Sequence, residues 1–293
     1  MTPLRKPPAT GSPPSQGRKR VRREHWGHLP LLLLLLTLIV LFAQCRRRTP
    51  PKPHLPSHPA KPGPLKGVVV VLDPGHGGAD PGAVRQGSSE AQLTYRMATT
   101  LAAVLQQAGA EVFFTVHSKA LATLPQEGKP ELPLAAPRDA RFAVDNKYVG
   151  IRHLESPEDL YRRAQLAAQL WKTRGARSPI YFLSLHYDAL SESRWRGGLI
   201  CYDARRKQPP KLAQVLASRW RGSGLGGHRR AGEPKSRELG VLNPEHNPVP
   251  QSVLIELATI SNPQDLQSAQ TPYWRWKVSR LITEALVTCT KKP

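Results

Sequence analysis

The sequence predicts an α/β fold: one domain with a mostly parallel sheet of about six strands, flanked by helices on both faces. Three observations carry this expectation. From residue 67 onward, short apolar runs alternate with longer segments whose apolar residues recur every three or four positions. Several of the short runs are apolar at every position, the pattern of strands covered on both faces. The order strand–helix–strand–helix–strand, joined by right-handed crossovers, places those strands parallel.

Each element has its own signal. Residues 68–72 (VVVVL) form the first strand, which runs into the loop DPGHGG at 73–78. Residues 90–108 carry Leu93, Met97, Leu101, Val104, Leu105 and Ala108 on one helical stripe, and Gly109 stops it. Residues 110–116 (AEVFFTV) are the second strand. A helix then opens with Ser156 as cap, Pro157 at its first position and acids in its first turn. Its stripe is Leu160, Ala164, Ala167, Ala168 and Trp171, and Gly175 closes it. Residues 179–186 (PIYFLSLH) and 198–202 give the third and fourth strands, 210–221 a helix, 239–242 a short strand and 252–257 (SVLIEL) a buried one. Thr271 and Pro272 open a last helix that runs through Trp276, Leu281, Ile282 and Ala285 to Cys289. The connection at 119–155 is far longer than such folds need, and we expect it to border or cover the cleft.

The N-terminal part reads as an address and a tether. Residues 1–28 form a basic tail rich in Pro and Ser. Residues 29–45 (LPLLLLLLTLIVLFAQC) are mostly apolar, roughly 25 Å of helix at 1.5 Å per residue, which is a transmembrane or signal-anchor length. No small-x-small cleavage site follows, which favours an anchor that stays attached; a cleaved segment would mean secretion. The larger basic cluster lies upstream and favours an N-terminus in the cytoplasm with the remainder exported. Residues 46–66 are proline-rich and charged, a stiff spacer, and 67–293 form the globular domain.

The net charge is +22, and the first 65 residues hold about half of it. The remainder is basic enough to favour a polyanionic partner. No nucleic-acid motif or aromatic–basic alternation is present, which argues against nucleic acid. The three cysteines, Cys45, Cys201 and Cys289, are odd in number with no CxxC pair, so isolated thiols are expected.

In a parallel sheet, ligands gather outside the carboxyl ends of the strands. His76 follows the first strand there, His186 ends IYFLSLH, Glu256 stands near the end of VLIEL, and Glu90 opens the helix returning from the first strand. Singly, each has a plainer reading: a turn histidine, a core histidine, an acid favoured by a helix dipole, an ion pair with an arginine. Together they make a three-ligand zinc site of His76, Glu90 and His186, with Glu256 as the base that moves protons. Gly75, Gly77 and Gly78 let the backbone turn tightly and give a substrate close access.

These segments, VVVVLDPGHGGADPGAV, the helix opened by Glu90, SLHYDA and VLIELATISNPQD, resemble in the same order the zinc-dependent N-acetylmuramoyl-L-alanine amidases of the amidase-3 type. The resemblance runs from about residue 67 to the C-terminus. It implies Zn2+ held by His76, Glu90 and His186, catalysis by Glu256, and cleavage of the amide between N-acetylmuramic acid and L-alanine in peptidoglycan. Taken with the N-terminal anchor reading, it gives an expectation of a domain on the extracytoplasmic face of a bacterial inner membrane, with peptidoglycan as partner, the membrane reached through the N-terminal segment, and the activating partner unspecified. Departures from the family pattern are Ala91 where a lysine commonly follows the glutamate, His117 after the second strand, and Ala258–Thr259 after the final Glu-Leu. Two other readings stay open: a zinc peptidase cutting within the stem peptide, and a non-catalytic module holding an anionic wall polymer.

Overall fold

Six strands form the central sheet in the computed structural model, which describes residues 63–118, 139–145, 147, 157–227, 229–230 and 232–291. They are β1 (Val69–Pro74), β2 (Glu111–Phe114), β3 (Ile180–Asp188), β4 (Leu199–Asp203), β5 (Lys235–Arg237) and β6 (Gln251–Thr259). Their order across the sheet is β2-β1-β3-β6-β4-β5. β2, β1, β3 and β6 run parallel; β4 runs antiparallel to β6, and β5 pairs parallel with β4. The helices are α1 (Glu90–Gln107), α2 (Pro157–Arg174), α3 (Lys211–Arg221), α4 (Pro263–Gln270) and α5 (Pro272–Thr290).

The continuous apolar runs have the reason the sequence suggested: both faces of the sheet are covered. Val70, Leu72, Leu183, Leu185, Val253 and Ile255 pack on one face with Leu93, Met97 and Leu101 of α1, Leu216 and Trp220 of α3 and Ile282 of α5. Val69, Val71, Phe182 and Leu254 point to the other face, toward Ala167 and Leu170 of α2 and toward Val241 and Leu242. Full burial of each Val, Leu or Ile contributes about 1.5–3 kcal/mol, so the central strands dominate the stability. Cys201 and Cys289 are free thiols.

The structure departs from the sequence reading in four places. Residues 240–242, read as part of a strand, form a 3-10 turn (Gly240–Leu242) whose Val241 and Leu242 are buried. The sixth strand is instead β5, whose residues Lys-Ser-Arg carry no apolar signal. It is one edge of the sheet, where polar and charged residues can stand because they discourage pairing with another chain. α4 went unread because it is short; Asn262 caps it, its side chain accepting from Gln264 N (3.0 Å) and Asp265 N (3.2 Å), and Pro263 takes the first position. Finally, Leu65 is fully buried and its N–H donates to Ala108 O at 2.9 Å, so the packed body includes residues read as the end of the spacer. A single leucine among prolines, glycines and lysines has no periodicity to reveal it.

The apolar run 29–45, nearly all of the spacer, Ser156 and most of the connection 119–155 lie outside the described residues. Among the described residues no helix is long and apolar enough to cross a membrane.

Candidate metal centre

β1 ends at the sheet edge that carries the site. Its Asp73 is fully buried, and three donors meet it: Thr115 Oγ1 (2.5 Å) and Arg163 Nη1 (2.9 Å) on Oδ1, and Ser184 Oγ (2.7 Å) on Oδ2. Burial alone would raise this carboxyl, but the Arg163 charge and the two hydroxyl bonds overcome it and hold Asp73 below the usual carboxylate range. The chain then turns. Gly75 N donates to Leu185 O at 2.9 Å, and His76 adopts φ +64°, a left-handed conformation costly for a residue with a side chain.

That turn aims the imidazole at α1. His76 Nδ1 lies 2.6 Å from Asp80 Oδ2, and its Nε2 lies 3.1 Å from Glu90 Oε1. His186, near the end of β3, brings Nδ1 to 3.1 Å from the same Glu90 oxygen. Glu90 is oriented in turn by backbone donors: Tyr187 N to Oε1 (3.0 Å) and Ala83 N to Oε2 (3.2 Å). One ligand atom from each of His76, Glu90 and His186 lies within 4.8 Å of the others. Burial disfavours charge on His76, yet its hydrogen bonds to Asp80 and Glu90 raise it to about 9. Burial likewise opposes the Glu90 carboxylate, but bonds from His186 and His76 hold it far below its ordinary value.

Glu256 stands beside this cluster. On β6 it pairs in register with His186 of β3, so the two side chains share one face of adjacent strands. Burial pushes its carboxyl up to about 7, with Asp188 and Glu90 acting in the same direction and His186 and Arg237 against it. Its Oε2 is buried with no hydrogen-bond partner. Arg237 Nη1 is 3.9 Å from Oε1, a long ion pair beyond hydrogen-bond reach that leaves Oε2 without a partner.

The glycines act by making room as well as by turning. A Cβ on Gly75 would overlap the His186 ring, and one on Gly82, at φ +62°, would stand 2.7 Å from His76 Cδ2 and 2.8 Å from Glu90 Cβ. Gly77 and Gly78 do take left-handed φ values of 121° and 61°.

All four side chains picked out from the sequence therefore meet at one edge. Three supporting residues were not picked out. Asp73 had a signal, a carboxylate ending a four-valine strand. Arg163 had a fainter one, three positions after Leu160 on the buried stripe of α2. Asp80 had only its place in the loop. His117 is exposed, on a two-residue ribbon with Arg141, and does not belong to the cluster.

Two imidazoles and a carboxylate, one imidazole held through its second nitrogen by an acid, fit a divalent transition metal. The unpartnered, buried Glu256 oxygen fits an acid–base group beside it. Comparison with known proteins identifies the family. The sequence profile of a family described as N-acetylmuramoyl-L-alanine amidase matches residues 70–288. The germination-specific N-acetylmuramoyl-L-alanine amidase of Bacillus subtilis (strain 168) is 25% identical over 224 residues, 76% of this chain and 80% of the relative. The probable cell wall amidase LytH of Staphylococcus epidermidis is 28% identical over 226 residues, 76% of this chain but 58% of the relative's own length. Among solved structures, the catalytic domain of CwlV from Bacillus (Paenibacillus) polymyxa var. colistinus superposes with a TM-score of 0.53 at 19% identity, covering 76% of this chain and 97% of that one. The CwlD amidase of Clostridioides difficile, solved in complex with the GerS lipoprotein, gives 0.53 at 19% identity over 76% and 100%. At that identity these structures show a shared fold.

Proposed function

The chain belongs to the amidase-3 family of N-acetylmuramoyl-L-alanine amidases, and from that premise we propose that it is a zinc-dependent hydrolase of the amide joining N-acetylmuramic acid to L-alanine in peptidoglycan. The observation that carries this reading is the convergence of His76, Glu90 and His186 donors within 4.8 Å, with Glu256, whose Oε2 has no hydrogen-bond partner, on the adjacent strand.

His76, Glu90 and His186 would hold the metal. When bound, zinc supplies Lewis acidity at the scissile carbonyl and makes water a stronger acid. Asp80, through its 2.6 Å contact with Nδ1, fixes the orientation of His76. Glu256 in its ionised form accepts a proton from the attacking water at Oε2 and delivers it to the departing amine. Burial raises this carboxyl from its ordinary value, the direction that makes it a stronger proton acceptor.

The basic surface supports an anionic wall polymer as the environment in which the enzyme works. Residues 29–45 serve as membrane anchor and 46–62 as spacer, which puts the domain on the extracytoplasmic side and lets it reach a wall target away from the bilayer.

A chelator is expected to abolish release of stem peptides from purified sacculi, and zinc to restore it. Mass spectrometry should find the remaining glycan free of L-alanine. Full activity after all metal is stripped would overturn the metal assignment; glycan that retains L-alanine would favour a peptidase.

A further inference from the structure

We propose that Arg163 is the positioning residue that sets His76 for metal binding, and that Phe142, from the long connection after β2, completes the device by covering its guanidinium. The inference rests on the metal centre described above and assigns a task to two residues outside it.

His76 sits in a left-handed conformation that only its surroundings can maintain. Thr94 Oγ1 holds Gly75 O at 2.8 Å and Gly77 N donates to Asp80 O at 2.8 Å, and one further side chain bridges the turn. Arg163 is 4% exposed and spans the turn: Nη1 donates to Asp73 Oδ1 (2.9 Å) and Pro74 O (2.7 Å), and Nη2 donates to His76 O (2.6 Å). The carbonyls on both sides of Gly75 are thus held by one rigid, planar group, and with them the direction in which His76 leaves the backbone. A lysine keeps the charge, but its three donors radiate from one nitrogen and lack the planar fork that meets both carbonyls at once.

The cover comes from a ribbon that pairs Val116–His117 with Arg141–Phe142. Phe142 is 1% exposed, and its ring centroid lies 5.9 Å from Arg163 Cζ and 5.7 Å from Arg162 Cζ. Ala140 Cβ lies 3.6 Å from where a Cβ on Gly77 would stand, so the residue leading into the ribbon lies alongside the His76 turn. Ala143 N donates to Thr115 O at 2.9 Å, and the Thr115 hydroxyl holds Asp73, which ties ribbon, strand and turn together. Removing water from the guanidinium face strengthens the hydrogen bonds that define the turn.

The test is the zinc dissociation constant of the full-length, detergent-solubilised protein, measured by competition with a chromogenic chelator, beside thermal melts. Arg163→Lys is expected to weaken zinc binding about 10–100-fold, the range seen when groups that orient metal ligands are lost. Phe142→Ala should weaken it less, and the double variant should bind no more weakly than Arg163→Lys alone, because Phe142 acts through the guanidinium. Phe142 belongs to a three-residue apolar cluster apart from the main core, so its truncation keeps the question answerable should Arg163→Lys not fold. Zinc constants equal to wild type in the variants that fold, whatever their melting temperatures, would overturn the proposal, as would fully additive losses. A wild-type protein that binds no zinc would overturn the metal reading itself and this inference with it.

Discussion

Glu256 is worth its position on a buried strand only if its charge does something there. Its Oε2 has no partner, and burial holds its carboxyl near 7. Glu256→Gln keeps the volume and removes the basicity. The variant is expected to bind one zinc as wild type does while turnover on sacculi falls about 10²–10⁴-fold, the usual contribution of a positioned acid–base group. Metal content and turnover measured on the same preparation decide it, and joint loss would make Glu256 a ligand instead. Gly75 answers a different residue-scale question, that of space. In Gly75→Ala the new methyl overlaps the His186 ring, so the ring must leave. The expected result is a folded protein whose zinc affinity falls at least about tenfold, read by chelator competition; unchanged affinity would mean the turn relaxes around the methyl.

Elements are tied to the site through Asp73. It closes β1, accepts from Thr115 just after β2 and from Ser184 on β3, and meets Arg163 of α2. Both partners of the Asp73–Arg163 pair are almost fully buried, at 1% and 4% side-chain exposure. Removing one partner strands the other charge, which costs about 3–5 kcal/mol. Asp73→Asn is therefore expected to lower the urea-unfolding free energy by that amount. A loss below about 1 kcal/mol, the value of an exposed pair, would mean water reaches the guanidinium.

The same carboxylate gives the whole molecule a pH dependence with a defined sign. Asp73 is held below its ordinary value of 3.8 in the folded chain. Its contribution to stability is complete above that value, where the unfolded chain is also ionised. It is lost as pH falls through the lower folded-state value, because the unfolded chain then binds the proton more readily. Urea midpoints taken from neutral pH down to about 2 should fall more steeply below 3.8 for wild type than for Asp73→Asn. Parallel curves would show that other carboxylates carry the acid response.

The alternation of apolar runs and stripes is local information, and it was enough to mark five of the sheet's six strands, the main helices and the four chemistry-bearing residues His76, Glu90, His186 and Glu256. Burial on both faces forces strands to be apolar throughout, and a carboxylate or imidazole in such a strand declares itself by its cost. β5 and Leu65 gave no such mark, because a solvent-facing edge strand needs no apolar residues and one leucine has no period. Tertiary contact alone decided that Arg163, ninety positions from Asp73, spans the His76 turn, that Gly75 makes room for a ring from another strand, and that Phe142 lies over that guanidinium. Such pairings depend on which distant segments the sheet order brings side by side, and no short stretch of sequence contains both partners.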